Sequence, residues 1–547
     1  MSSKNYGRVK ILTDMILNGD IANDKVIIPK IIEKALPYHY QNVRAYTINE
    51  SWYFNDADKI LSKQKFIRPE IDNKFTFATA KSVVQMNNGY CFGEPFKYVT
   101  NEAEENKQDA MTAFNKCLKL AQNHQHTREC AKNGAKFGIS YKLALKPTEK
   151  DLKQGRFFRI VSDIDNFHTF KVYTNTIEKE EVLGVTYYDR RVLGADGVET
   201  DTMETVFNCW TKYHQWTFVK DSKGNYSNRL FRHISEGVEI WLDAFPLNLI
   251  LENGNAVSRE TLIPLQEYQR TDDRVADFEL SIKLMDAINV LASCRIDSVQ
   301  QSTDFIIKLR DIDLGEFDEK TGRNEVLERI QRYMQAHFLA VESRDGADVQ
   351  PDIDVLDIPL NQSQVQELQD FLYEMLQEEL QQPTRSGGTG QDTGIAVENR
   401  NGFRQFENLA TEISDSMIFS EMQFVEKLLE IGKSYPDCPF KDLEIGDIEI
   451  RSMRNKSENK TTAVNNFREM VNAGVNRRTA YAESGLVADI SDTVKMDEQQ
   501  QMKDAEFAIQ QEVMKAKALK EIEPKTEKSV EDKNADGSDK TDTVDEP

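Results

Sequence analysis

Residues 383–394 read Pro383-Thr384-Arg385-Ser386-Gly387-Gly388-Thr389-Gly390-Gln391-Asp392-Thr393-Gly394. Before them, Val365, Leu368, Leu372, Leu376 and Leu380 repeat at steps of three and four. After them, Phe403, Phe406, Ala410, Ile413 and Met417 do the same. One apolar stripe per segment, with polar residues opposite, predicts two long amphipathic helices joined by a glycine-rich link. Such a link cradles phosphate when it follows a strand and opens a helix. This one follows a helix and lacks a Gly-Lys-Ser/Thr ending. Thr393 also stands where the dinucleotide fingerprint needs its third glycine. A nucleotide pocket fits poorly here; a mobile loop held at the end of two rigid rods fits well.

A chain of 547 residues exceeds one core and predicts two to four domains. The content is 39% hydrophobic and 29% charged, which fits a soluble protein with extended surface. A net charge of −23 excludes a general nucleic-acid binder, because the counterion-releasing basic surface is missing. It does not exclude a protein past which DNA slides, where repulsion prevents sticking. The six cysteines show no CxxC spacing and read as reduced core thiols, hence a cytosolic compartment. The N-terminal residues carry no apolar signal region, and no run approaches the ~18 apolar residues of a membrane span.

Along the chain, Ile27 to Ala35 and Asp56 to Lys65 predict short helices, and Phe75 to Asn88 a longer one stopped by Gly89. Ala110 to Gly134 reads as mainly helix, and Ser140 to Leu145 as a strand after Gly138. From Arg156 to Trp241 the signals turn to β: Phe157–Val161, His168–Tyr173, Val182–Tyr188 and Val206–Val219 are rich in β-branched and aromatic residues. An α+β domain follows from this order. Asp273 to Ile296 predicts a helix whose start Asp272, Asp273 and Asp277 favour through capping and the helix dipole. That helix and Asn361–Gln382 make two rods of similar length, roughly 35 and 33 Å, enclosing a small α/β knob. In the knob, Asp304–Leu309 and Phe338–Val341 read as strands and Asn324–Gln335 as a helix. A helix to Ile431, a strand over Leu443–Ile450, and helices at Lys460–Asn472, Arg477–Ser484 and Asp497–Leu519 complete the pattern. Glu521 to Pro547 has the composition of a disordered tail.

No catalytic constellation emerges. His124-Gln125-His126 with Cys130 puts ligands on different helix faces and lacks a fourth. Asp163 and Asp165 suit a turn better than an acid–base pair. Pro436-Asp437 with Glu458-Asn459-Lys460 fits a permissive metal-dependent nuclease pattern, which leaves a DNA-processing enzyme as the alternative reading. No metal site, cofactor or Walker motif is expected.

The order of the segments resembles the portal, or head–tail connector, proteins of tailed bacteriophages of the siphovirus type. Phe77-Ala78, Lys81, Asn88-Gly89-Tyr90, Phe92-Gly93, Pro95 and Lys97-Tyr98 resemble one hallmark of that family. Ala131, Ala135, Phe137-Gly138 and Ser140-Tyr141 resemble the next, and Val172-Tyr173 a third, with Thr174 where an Asp is usual. Ile263-Pro264-Leu265-Gln266-Glu267-Tyr268 with Asp277-Phe278-Glu279 and Leu284–Asn289 is similar to the entry into the family's first long helix. Ser386-Gly387-Gly388 to Gly394-Ile395-Ala396-Val397 is similar to its loop and next helix. Arg454-Asn455-Lys456 and Ala473-Gly474-Val475 to Thr479 are similar to its C-terminal part, without the Pro often found near Lys456.

The resemblance spans about Ala22 to Met502 and implies an α+β multidomain portal fold. Its regions would be a wing (1–262), first stem helix (263–297), clip (298–359), second stem helix (360–382), tunnel loop (383–394), long wing helix with return strand (395–455), helical crown (456–519) and acidic tail (520–547). It further implies a homo-oligomeric ring, commonly of twelve subunits, at one capsid vertex of the virion, assembled in the bacterial cytoplasm. Double-stranded DNA would pass through it. The terminase large subunit, a head-completion or adaptor protein, and the capsid and scaffolding proteins would bind it, with no membrane involved. Arg385, Ser386, Gly387, Gly388, Thr389, Gly390, Gln391 and Asp392 would face the DNA. As the one cation of the loop, Arg385 either touches phosphate or pairs with an acid of a neighbouring subunit. Lys308, Arg310, Lys320 and Arg323 would face terminase or adaptor at the clip, ordinary solvated surface being the competing reading.

Overall fold

The computed structural model describes residues 7–56, 58–65, 69–100, 105–193, 199–235, 238–247, 249–252, 255–258, 260–303, 306–310, 317–318, 323–324, 352–356, 362–383, 403–454, 460–484 and 490–522. They form two compact units, 1–456 and 457–547. Strand β1 (Ile11–Thr13) leads into α1 (Ile21–Tyr53), whose N-cap Asp20 accepts from the Ala22 N–H at 3.0 Å. The sequence predicts only a short helix here. The structure has one of 33 residues, with Pro29 and Pro37 inside it. Tertiary burial explains the length: Ile28, Ile31, Ile32, Ala35 and Leu36 form a face packed on the main sheet, outweighing the lost backbone bonds.

Next come α2 (Asp58–Leu61) and α3 (Thr79–Phe92). Gly89 does not end α3, and its φ is not left-handed. The helix runs on because Cys91 and Phe92 are buried in the core against Ala410 and Ile413. After β2 (Lys97–Thr100), the long helix expected around Ala110–Gly134 is two: α4 (Glu105–Leu120) and α5 (Asn123–Phe137), broken at Gln122 with φ 56°. Gly138 (φ 83°) turns the chain into β3 (Ile139–Leu145); a Cβ there would lie 2.4 Å from the Arg274 carbonyl, so only glycine fits.

Beyond α6 (Glu149–Lys153) and β4 (Arg159–Val161), the β region forms β5 (Thr169–Thr174), β6 (Glu181–Leu193), β7 (Glu199–Trp210), β8 (His214–Lys220), β9 (Tyr226–Asn228), β10 (Phe231–Ser235), β11 (Val238–Leu242), β12 (Phe245–Pro246), β13 (Leu249–Glu252) and β14 (Asn255–Ser258). The apolar stretch Val206–Val219 is thus a hairpin rather than one strand. The main sheet has seven strands in the order β1-β5-β6-β7-β8-β12, with β9 also on β8. All its pairs are antiparallel except β1–β5.

A second core joins the sheet β15-β3-β4, where β15 is Leu265–Gln269, to the helices. Here the expectation of a helix from Asp273 fails. The chain pairs with β3 through Gln269, then turns irregularly, and α7 starts only at Ile282 (Ile282–Thr303). Asp277 does not cap it. Its carboxylate is taken by Arg270 in a bidentate pair at 2.7 and 2.6 Å.

After α7 come β16 (Ile306–Arg310), β17 (Phe317–Asp318), β18 (Arg323–Asn324), β19 (Asp352–Leu356) and α8 (Gln362–Glu379). At 22 and 18 residues, α7 and α8 measure about 33 and 27 Å, less well matched than the sequence implies. The helix expected at Asn324–Gln335 and the strand at Phe338–Val341 lie outside the described residues, apart from Asn324, a strand residue. The described partner of β16 is β19. Then α9 (Phe403–Lys433) crosses the core, and β20 (Ile448–Arg451), shorter than expected because Ile445–Asp447 is a 3₁₀ turn, pairs with β2.

The second unit holds α10 (Lys460–Asn472), α11 (Arg477–Ser484) and α12 (Ile490–Ile522). Gly474 (φ 83°) ends α10, and Phe467 stacks on Tyr481 at 4.3 Å. Of the expected tail, residues 523–547 lie outside the described residues.

Candidate functional site: the anchored helices and their buried ion pairs

Helices α7 and α8 pack side by side and antiparallel. Arg295 late in α7 donates to Gln369 early in α8 at 2.9 Å, while Met285 and Ile288 share one buried cluster with Leu376 and Leu380. The antiparallel pair β16–β19, Ile306 opposite Leu356, extends the hairpin. Two stripes divide α8. Leu372, Leu376 and Leu380 face the cluster, whereas Leu368, Phe371 and Met375 are 47, 56 and 43% exposed. The sequence places Leu368 in the inner stripe. It belongs to the outer one, at i, i+3 and i+7 with Phe371 and Met375.

The base of the hairpin is tied to the body by polar groups. Asp277 accepts from Arg270 and, at 2.8 Å, from Asn87 of α3. Asn87 in turn accepts from Gln382 at 3.0 Å. Along α7, Asp297 accepts from Lys65 at 2.6 Å and from the Asn73 N–H at 2.8 Å.

Helix α9 is fixed by a charged knot. Glu421 is fully buried and accepts from Lys142 (2.8 Å), Tyr268 (2.6 Å), Tyr98 (2.7 Å) and Asn123 (2.9 Å). Burial alone would raise the Glu421 carboxyl. The Lys142 charge and the donated hydrogen bonds outweigh it and hold the group below the usual carboxylate range. Lys142 also donates to Thr127 at 2.8 Å and lies 4.9 Å from the Tyr268 ring centre. Nearby, Glu267 binds Arg274, whose charge keeps the carboxyl low against the upward push of burial. Glu181 serves two lysines, Lys171 and Lys427, the latter at 3.0 Å.

Burial first, and then the Lys171 charge, bring Lys427 down to about 7 from an ordinary 10.5. Between those values the unfolded chain binds a proton that the folded chain lacks, so stability rises with pH across that window and is least below it. Lys427→Met is therefore expected to remove this rise, so that the parent gains stability relative to the variant between about pH 6 and about pH 9. Thermal melts of the two proteins at both pH values check this; a constant difference would contradict it.

The sequence candidates for chemistry are placed elsewhere. His126 pairs with Ser162 at 2.7 Å, and Cys130 with Ser140 at 2.9 Å, its thiol pushed up to about 12 by burial. Asp165 caps the 3₁₀ turn Asn166–His168. Asp437 follows α9, while Glu458 and Asn459 lie outside the described residues. Among the described residues no group of three or more His, Cys, Asp or Glu is placed to hold a metal. Nor, among them, is any helix long and apolar enough to cross a membrane.

Lys308 and Arg310 lie on β16, opposite Asp354 and Asp352 in register, and Arg323 lies on β18 opposite Asp318. Lys320 and the link residues Arg385 to Asp392 lie outside the described residues. Sequence reasoning missed the buried charges. One signal was available: Glu421 occupies an apolar-register position, four residues after Met417 and three before Phe424.

The family model for phage portal proteins, SPP1 Gp6-like, matches residues 33–512, from within α1 to within α12. No curated protein matches the chain. Since the match covers nearly the whole chain, the protein belongs to the SPP1 Gp6-like phage portal proteins, as a structural, non-catalytic subunit of the oligomeric capsid ring that forms the DNA-translocation channel.

Proposed function

We propose that the ring stands at one capsid vertex, commonly with twelve subunits, after assembly in the bacterial cytoplasm. The α7–α8 hairpin forms the stem, β16 to β19 belong to the clip at its end, and the link around Arg385–Asp392 is a tunnel loop facing DNA. The body before α7, together with α9 and β20, forms the wing, and the second unit forms the crown. Lys308, Arg310, Lys320 and Arg323 face the terminase large subunit during packaging and a head-completion or adaptor protein afterwards. Capsid and scaffolding proteins meet the ring elsewhere. The motor's energy comes from the terminase. A net charge of −23 keeps the duplex from adhering as it passes.

The observation that carries the stem assignment is the outer stripe of α8. Leu368, Phe371 and Met375 are exposed on a helix whose other stripe is already packed on α7. A neighbouring subunit in a ring supplies the surface that covers them. Phe371→Asp is expected to weaken each subunit contact by about 2 kcal/mol and shift rings toward monomers at micromolar concentration, leaving the melting curve of the folded monomer unchanged. Light scattering and mass photometry read this directly. Rings that form at the parent's yield would remove α8 from the subunit interface.

A further inference from the structure

Helix α3 holds the chain on both sides of the link. Its first half packs Ala80, Val83 and Val84 into the cluster containing Leu376 and Leu380 of α8. Its last turn packs Cys91 and Phe92 into the cluster containing Ala410 and Ile413 of α9. Two polar side chains complete the grip. Asn87, 1% exposed, accepts from Gln382, the side chain just beyond the end of α8. Tyr90, three residues on and so on the same helix face, donates to Glu407 in the second turn of α9. The Tyr90 ring also lies 4.9 Å from Phe406 and 6.0 Å from Phe403.

Both grips are backed. Asn87 is itself held by Asp277, which Arg270 clamps, and Glu407 also accepts from Arg454 at 3.3 Å. The exit from α8 has a defined direction as well. Gln381 takes a left-handed φ of 51°, and the Gln382 N–H bonds the Gln377 carbonyl at 2.9 Å, which makes a Schellman turn before Pro383. The ends of α8 and α9 border a common cleft of about 330 Å³, lined by Glu378, Gln381, Gln405 and Glu412 among others.

We propose that Asn87 and Tyr90 are positioning residues for DNA passage: one turn of α3 fixes the separation and direction of the two chain ends between which the link is carried. The separation of Pro383 and Phe403 is then set by the body of the subunit. A pull on the link is resisted by α3 and, through Asp277 and Arg270, by the β15-β3-β4 sheet. This rests on the reading that the link faces DNA.

The test uses full-length rings carrying Asn87→Ala or Tyr90→Phe, the second being mild enough to keep the ring contacts with Phe403 and Phe406. Hydrogen exchange is expected to rise about tenfold at 380–382 in the first and at 403–407 in the second, with ring mass unchanged, and Tyr90→Phe should leave global melting unchanged as well. Packaged DNA in heads built on these rings is expected to fall. Glu407→Ala, which also takes the acceptor from Arg454, should give a packaging defect at least as large as Tyr90→Phe, and combining the two should add nothing to it. Unchanged exchange at both flanks would overturn the anchoring itself. Loosened flanks with normal packaging would overturn the positioning role alone, while normal packaging after deletion of 386–392 would overturn the DNA-facing reading of the link.

Discussion

Glu421→Ala is expected to destabilise the subunit by roughly 3–5 kcal/mol, the range for breaking a buried ion pair by removing one partner. Lys142 would be left fully buried with Thr127 and Asn123 as its remaining polar partners, and Tyr98 and Tyr268 would lose their acceptor. The effect is large because one carboxylate joins four elements. Lys142 lies on β3, Tyr268 on β15, Tyr98 on β2 and Asn123 at the start of α5. Removing the charges together should be much milder, so Glu421→Leu with Lys142→Met is expected to recover most of the loss. Denaturant unfolding of the full-length chain measures both. A cost below about 1 kcal/mol for Glu421→Ala would mean that water reaches the knot.

The second large effect is functional. Replacing Gly387, Gly388, Gly390 and Gly394 by alanine, or deleting 386–392, should leave ring mass unchanged and bring packaged or retained DNA to background. The flanks explain why assembly survives: α8 and α9 are held by α3 and by the apolar clusters, independently of the link. Loss of the ring in these variants would show that the segment is a subunit contact instead. Arg385→Ala separates the two roles of the loop's one cation. Unaltered packaging and retention would count against phosphate contact and favour an intersubunit pair.

Periodicity carried the long elements in the sequence. Phe406, Ala410, Ile413 and Met417 are all buried along one face of α9, and the Lys460–Asn472 helix matches to the residue. It failed where long-range partners decide. The expected helix Ile27–Ala35 fell short of α1, because most of the sheet that stabilises its full length comes much later in the chain. Asp277 read as a helix start because its true partner, Arg270, comes just after a strand whose pairing with β3 no local pattern reveals. Leu368 fitted the inner stripe by spacing alone, yet a helix with two apolar faces needs the packed structure to say which face is covered. The anchoring of the link was half legible. Asn88-Gly89-Tyr90 stood out as a motif, but its neighbour Asn87 and its grip on Gln382 and Glu407 depend on three segments meeting in space.

The most direct test is the mass and shape of the purified chain, by light scattering and negative-stain microscopy. The expected result is a closed ring of roughly dodecameric mass with a central channel wide enough for duplex DNA. A protein that remains monomeric at high concentration and cleaves DNA only when Mg²⁺ or Mn²⁺ is added would contradict it.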